Sequence, residues 1–117
     1  MDAAMMKAVA CLMLCLMAPW LAADVVRARQ RRDEIARFHR QAEATLAEIP
    51  DSAAVVFIRY PATHDHDLSL VANAPDCRTE RLWLVADRGS DNGRLLQLTN
   101  RTAYRLNTDT WTLDRLR

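Results

Sequence analysis

Ala53-Ala-Val-Val-Phe-Ile-Arg-Tyr60 is the stretch on which the fold turns. It is a continuous β-branched and aromatic run with no polar residue before Arg59, the pattern of a strand buried on both faces. Pro61 stops it. Arg81 to Ala86, Arg-Leu-Trp-Leu-Val-Ala, is a second run of the same kind. Between them lie a polar loop, Ala62-Thr-His-Asp-His-Asp67, and an apolar stretch from Leu68 to Ala72. Asn73 ahead of Pro75 then predicts the start of a single helical turn. Behind the second strand, in the loop Asp87-Arg-Gly-Ser-Asp-Asn-Gly93, Asp91 or Ser90 is placed to cap a short helix through Leu98. That helix is expected to bury Leu95, Leu96 and Leu98. Thr102 to Leu106 alternates and reads as a strand with Tyr104 and Leu106 inward. Asn107-Thr-Asp109 turns the chain into a last strand, Thr110 to Leu116, with Trp111 and Leu113 on one face. Strand, short helix, strand implies a right-handed parallel crossover. The expected fold is α/β, a small and mainly parallel sheet with an antiparallel edge hairpin.

Upstream of Pro50 the pattern is helical. From Asp24 to Glu48 there is no Gly or Pro, and Ile35, Phe38, Ala42, Leu46 and Ile49 recur at intervals of three or four, one narrow apolar stripe. Asp33 and Arg37 form a supporting i,i+4 pair. Further upstream, Ala8 to Ala23 is sixteen residues without a charge, between Lys7 and Asp24. As a helix it is about 24 Å long against a hydrocarbon core of about 30 Å, and Ala3 to Met6, Lys7, Val25 and Val26 make up the difference. Pro19 is expected to kink the span rather than break it, and Trp20 suits an interface. A cleaved signal peptide is the rival reading. Cleavage after Ala23 or Ala22 would leave Leu21 or Trp20 three residues back from the cut, where a small residue is needed. A lipoprotein reading fails on the bulky Leu14 before Cys15 and on the short apolar run ahead of Cys11. The segments are therefore a transmembrane anchor over 1–26, a basic amphipathic helix over 27–49 and a small α/β domain over 50–117.

Charge sets the expected partners. The formal net charge of the 117 residues is +1, which argues against general nucleic-acid binding. The arginines cluster: Arg27, Arg29, Arg31, Arg32, Arg37 and Arg40 all follow the apolar run. The positive-inside rule then places the C-terminal side in the cytoplasm, and the same arginines suit anionic membrane lipid. Three cysteines make no disulfide framework. Cys11 and Cys15 read as small apolar residues of the span, Cys77 has no local partner, and the redox compartment stays open.

Ligand sites of an open parallel sheet lie beyond the carboxyl ends of its strands. The loops expected there are His64-Asp-His-Asp67 and Asp87 to Gly93. If the first two strands are parallel neighbours, His64 and His66 can face Asp87 and Arg88 across one crevice. Two imidazoles and a carboxylate suit zinc or manganese, so His64 and His66 are the candidate metal ligands. The bland alternative is a polar loop with capping carboxylates. Gly89 and Gly93 do not make a phosphate-binding fingerprint, and His39 reads as a surface residue. No complete nucleophile, redox or zinc-protease motif is present, so the cofactor stays open and no catalytic activity of the chain on its own is expected.

Three phrases of the sequence carry a resemblance: Val55 to Asp76, Arg81 to Leu98, and Ala103 to Leu106. They resemble the soluble C-terminal tail, with the last transmembrane helix, of bacterial multi-pass membrane glycosyltransferases that take sugars from polyprenyl-phosphate carriers. The matching positions are Arg59-Tyr60, His64, Asn73, Asp76 and Asp87-Arg88, and the likeness runs from about Ala8 to Leu113. It implies a bacterial inner-membrane setting, a multi-pass membrane protein as partner, and His64, Asn73, Asp76, Asp87 and Arg88 as ligand-binding candidates. Such enzymes keep their catalytic carboxylate in an early loop among many spans, and neither Asp2 nor Asp24 matches it. The resemblance therefore implies a detached tail, a split-gene partner or a remnant, not a working transferase. Relatives often hold soluble parts outside the cytoplasm, against the arginine count. The expected function is an accessory or interaction domain. The alternatives are a metal- or phosphosugar-binding domain and a structural subunit of a larger membrane complex.

Overall fold

The computed structural model describes residues 2–73 and 75–117. The chain divides into two compact units, Met1–Ala36 and Arg37–Arg117.

A single helix, α1 (Ala3–Ala47), takes the place of the two helical segments marked in the sequence. Pro19 lies inside it, and no Gly or second Pro interrupts the chain before Pro50. In the first unit α1 is long and apolar enough to cross a membrane, and none of its most apolar stretch is buried within the protein. Leu14 is 69% exposed and Trp20 73%. The expected Asp33–Arg37 pair is not formed. Arg31 instead reaches Glu34 at 3.1 Å on the exposed surface, worth a few tenths of a kcal/mol at most.

The second unit starts within α1. Ala42 and Ile49 are buried, and Phe38 and Leu46 pack beside them, as the stripe predicts. Thr45 is buried with them and returns its hydroxyl to the Gln41 carbonyl at 3.0 Å. The helix tightens over its last turn, Glu48 and Ile49 donating to Thr45 and Leu46, and stops at Pro50.

Four strands follow: β1 (Ala54–Arg59), β2 (Leu82–Ala86), β3 (Thr102–Asn107) and β4 (Thr112–Arg115). Their order in the sheet is β2-β1-β3-β4. β1 is parallel to both neighbours, Ala54 pairing with Leu82 on one side and Thr102 on the other. β3 and β4 are antiparallel. The central place of β1 explains its composition, because both faces are covered. Ala54, Val56 and Ile58 join the cluster that holds Ala42, Ile49, Leu70, Tyr104 and Leu106. Val55 and Phe57 join Ala103 on the other face, under Leu95 and Leu96. Those two leucines come from α2 (Asn92–Gln97). Full burial of Phe57 and Ile58 removes roughly 1.5–3 kcal/mol of unfavourable hydration each.

Three local expectations are corrected. Leu98 is 84% exposed, because α2 ends at Gln97 and leaves Leu98 as its C-cap. Neither Ser90 nor Asp91 caps α2 through its side chain; Gly89–Asp91 is itself a helical turn that runs into it. β4 begins at Thr112 rather than Thr110, because the turn extends through Trp111, which has a φ of 55°. That left-handed conformation is uncommon for a bulky residue. The indole ring lies 5.2 Å from the ring of Phe38, edge to face, a contact that holds it there.

Asn73 is corrected as well. Its side chain starts no helical turn but lies against the outer edge of β2. Its amide donates to the Leu84 carbonyl at 2.7 Å and accepts from the Leu84 N–H at 2.9 Å. Ala74, inside the expected turn, lies outside the described residues.

Candidate functional site at the carboxyl edge of the sheet

The crossover out of β1 carries Tyr60 and Leu70 and packs on the face that α1 covers. The crossover out of β2 carries Leu95 and Leu96 and packs on the opposite face. Consecutive connections that leave opposite faces open a crevice between the strand ends they depart from. A cleft of about 490 Å³ lies there, lined by Ile58, Arg59 and Tyr60 from the end of β1, Ala86, Asp87 and Gly89 from the end of β2, and Arg105 from β3.

Asp87 is the hub of this cleft. Its backbone N–H continues the ladder to the Ile58 carbonyl at 2.9 Å. One carboxylate oxygen, Oδ1, accepts from the Gly89 N–H at 2.9 Å and from the Asn92 amide at 2.6 Å. The other, Oδ2, accepts from Arg105 Nε at 3.0 Å. Gly89 reaches its place with a φ of 60°, where a side chain is disfavoured even though space is open around it. Asn92, buried at the start of α2, also accepts from the Arg88 N–H at 2.9 Å. Burial alone would push the Asp87 carboxyl up. The Gly89 and Asn92 hydrogen bonds with the charge and hydrogen bond of Arg105 outweigh it, so the group sits below the usual carboxylate range.

The expected convergence of His64, His66, Asp87 and Arg88 does not form. His64 and His66 line a separate recess of about 340 Å³ with Pro61, Ala62 and Ser69, and Tyr60 borders both sites. His64 stacks on the Tyr60 ring at 3.8 Å between centroids, while His66 meets the His64 ring edge-on at 6.4 Å. Burial, reinforced by the neighbouring His66, lowers the pKa of His64 below its ordinary value. Among the described residues no three His, Cys, Asp or Glu side chains converge to hold a metal ion. The carboxylate expected to complete the set is turned to Arg105.

The remaining candidates scatter. Asn73 serves the edge of β2. Asp76 accepts from the Arg78 N–H at 3.2 Å within its own exposed turn. Arg88 lines a neighbouring groove of about 340 Å³ with Phe57, Val71, Val85 and Leu95. Asp87 alone among the expected ligand residues lies in the main cleft. Sequence reasoning misses Arg105 and Asn92, and Arg59 stands out in it as the end of a strand and a position of the resemblance, not as a ligand-binding candidate. A signal for Arg105 does exist, since it is the one charge inside the otherwise buried run Ala103-Tyr-Arg-Leu106.

The opposite edge of the sheet holds a second aspartate. Asp51 accepts from the Thr102 hydroxyl at 2.8 Å and from the Tyr104 hydroxyl. Chiefly through the Tyr104 hydrogen bond, its carboxyl lies below the ordinary range, and the same bond raises Tyr104 above its own.

No protein family, curated protein or solved structure was found to match this chain.

Proposed function

We propose that the protein is a single-pass, membrane-anchored accessory domain that works beside a multi-pass membrane protein. The observation that carries this reading is the apolar half of α1, where Leu12, Leu14, Leu16, Met17, Trp20 and Leu21 are all exposed to what would be water. Such a surface is costly in solvent and is matched by lipid hydrocarbon. Arg27, Arg29 and Arg32, close behind it, suit the headgroup region and favour a cytoplasmic α/β domain. The partner class rests on the resemblance read from the sequence of residues 8–113 to the tails of polyprenyl-phosphate glycosyltransferases. The chain supplies no catalytic carboxylate of that chemistry, so its role is to bind or steady the enzyme that does.

Alkaline carbonate extraction of membranes from expressing cells tests the anchor, and the protein is expected in the pellet. Release into the supernatant overturns it. Mild-detergent purification then tests the partner: a multi-pass membrane protein is expected to co-elute, and a lone monomer counts against the accessory role. Protease added to right-side-out vesicles is expected to spare the α/β domain, and its digestion would reverse the orientation.

A further inference from the structure

Arg105 is held in an unusual way for a partly exposed arginine. Asp87 takes only its Nε, at 3.0 Å. Among the described residues, no hydrogen bond engages its two terminal nitrogens. Its side chain remains 35% exposed, while that of Asp87 is 9% exposed. Both oxygens of the carboxylate are engaged, Oδ1 by Gly89 and Asn92 and Oδ2 by Arg105. It aims the guanidinium rather than competing for a ligand. Arg59, exposed at the end of β1, lines the same cleft, and no hydrogen bond or ion pair of its side chain is present among the described residues.

We propose that this cleft binds a phosphate monoester, with Arg105 and Arg59 as the two arms of the grip. The Asp87–Arg105 pair is neutral, so Arg59 makes the cleft net positive. A planar guanidinium fixed at Nε presents its terminal N–H groups as a fork that fits two oxygens of a tetrahedral anion. A second guanidinium serves the remaining oxygen, a demand that a carboxylate does not make. The volume of about 490 Å³ far exceeds what an inorganic anion fills, and clefts of that size hold an organic body. Ile58, Tyr60, Ala86 and Gly89 line the rest, and a sugar phosphate is the ester chosen to probe it. Two sources supply this chemistry, a soluble ester and a lipid phosphate headgroup.

The full-length protein in detergent micelles, titrated calorimetrically with glucose 1-phosphate, inorganic phosphate and acetate, tests the inference. Saturable binding is expected for glucose 1-phosphate, weaker binding for phosphate and none for acetate. Arg59→Gln and Arg105→Gln are each expected to weaken glucose 1-phosphate binding about tenfold, as loss of one charge-assisted contact does. Arg105→Lys keeps the charge but loses the fork, and weakens binding too. Arg88→Gln, on the neighbouring groove, is expected to bind as the native chain does. Arg59 is exposed, so its variant reports binding without a folding defect, checked by an unchanged melting curve. Competition from phosphatidic acid in nanodiscs assigns the ester to a lipid, and its absence assigns a soluble one. Three results overturn the inference: no saturable binding of either phosphate, binding unmoved by both arginine substitutions, or acetate competing as well as phosphate. None of these bears on the carbonate extraction, so the two proposals stand or fall separately.

Discussion

Two aspartates sit at opposite ends of the same strands and do different work. Asp51, at the amino edge, is held by two hydroxyls of β3, Thr102 and Tyr104. Arg81 nearby spends one nitrogen on the carbonyls of Ile49 and Asp51, at 3.1 and 3.0 Å. A cleft of about 450 Å³ lies at that edge too, lined by Asp51, Arg101 and Thr102, but these donors of Thr102, Tyr104 and Arg81 are spent on the chain itself. Asp87, at the carboxyl edge, also engages β3, but through the Nε of an arginine that lines the cleft and whose terminal nitrogens make no hydrogen bond among the described residues. Neutral donors fasten a strand end, whereas an arginine fastened at one corner keeps donors for a ligand. Both carboxyls are more acidic than usual, so acidity does not separate the two roles. The identity of the donor does.

The largest effect is expected where both ends meet, in the shared core. Phe57→Ala empties the space between β1 and α2 and should cost about 3–5 kcal/mol. Urea unfolding followed at the two edges, by Trp111 and Trp83 fluorescence in single-tryptophan variants, should show coincident transitions. Separate midpoints would break the picture of one cooperative sheet. Asp87→Ala strands the Asn92 amide, the Gly89 N–H and Arg105 Nε, and should cost about 1.5–3 kcal/mol in the same assay. A cost near zero would mean that water replaces the carboxylate and that Arg105 is not positioned by it.

The acid limb distinguishes the edges next. Both carboxyls titrate below the ordinary aspartate value in the folded protein. Their stabilisation is therefore fully present above that ordinary value and is lost as pH falls through the lower, folded one. Asp87→Asn and Asp51→Asn should each flatten the fall in stability below about pH 4, and the double variant should flatten it further. The smallest effect belongs to His64. Its folded pKa lies below 6.5, so the unfolded chain binds the extra proton first and stability falls as pH drops through that region. His64→Gln should remove a shallow slope between about pH 7 and pH 5, read from melting temperatures. A slope that persists in the variant would overturn its assignment to His64.

How much of this is legible in the sequence follows from the range of the forces involved. β1 and β2 declare themselves because a central or covered strand must be apolar along its whole length, and a short run of residues states that without help. The stripe Phe38, Ala42, Leu46, Ile49 is equally local. The cleft is not. Arg105 enters it only because the parallel register sets Phe57 beside Arg105 and brings the end of β2 alongside the end of β1. No spacing within β3 encodes that. His64 and His66 mislead for the opposite reason. Their spacing is suggestive, but His64 packs its ring against Tyr60 and Phe38, while His66 is exposed and meets the His64 ring. Leu98 misleads because the face of a six-residue helix is decided by where it stops.

β2 is an outer strand, and the exposed rung of an outer strand is a template on which another chain can add itself as a further strand. The Asn73 carboxamide fills that rung at Leu84 with a donor and an acceptor of its own. At that rung it stands where the backbone of a further strand would pair, with a group that cannot itself be extended.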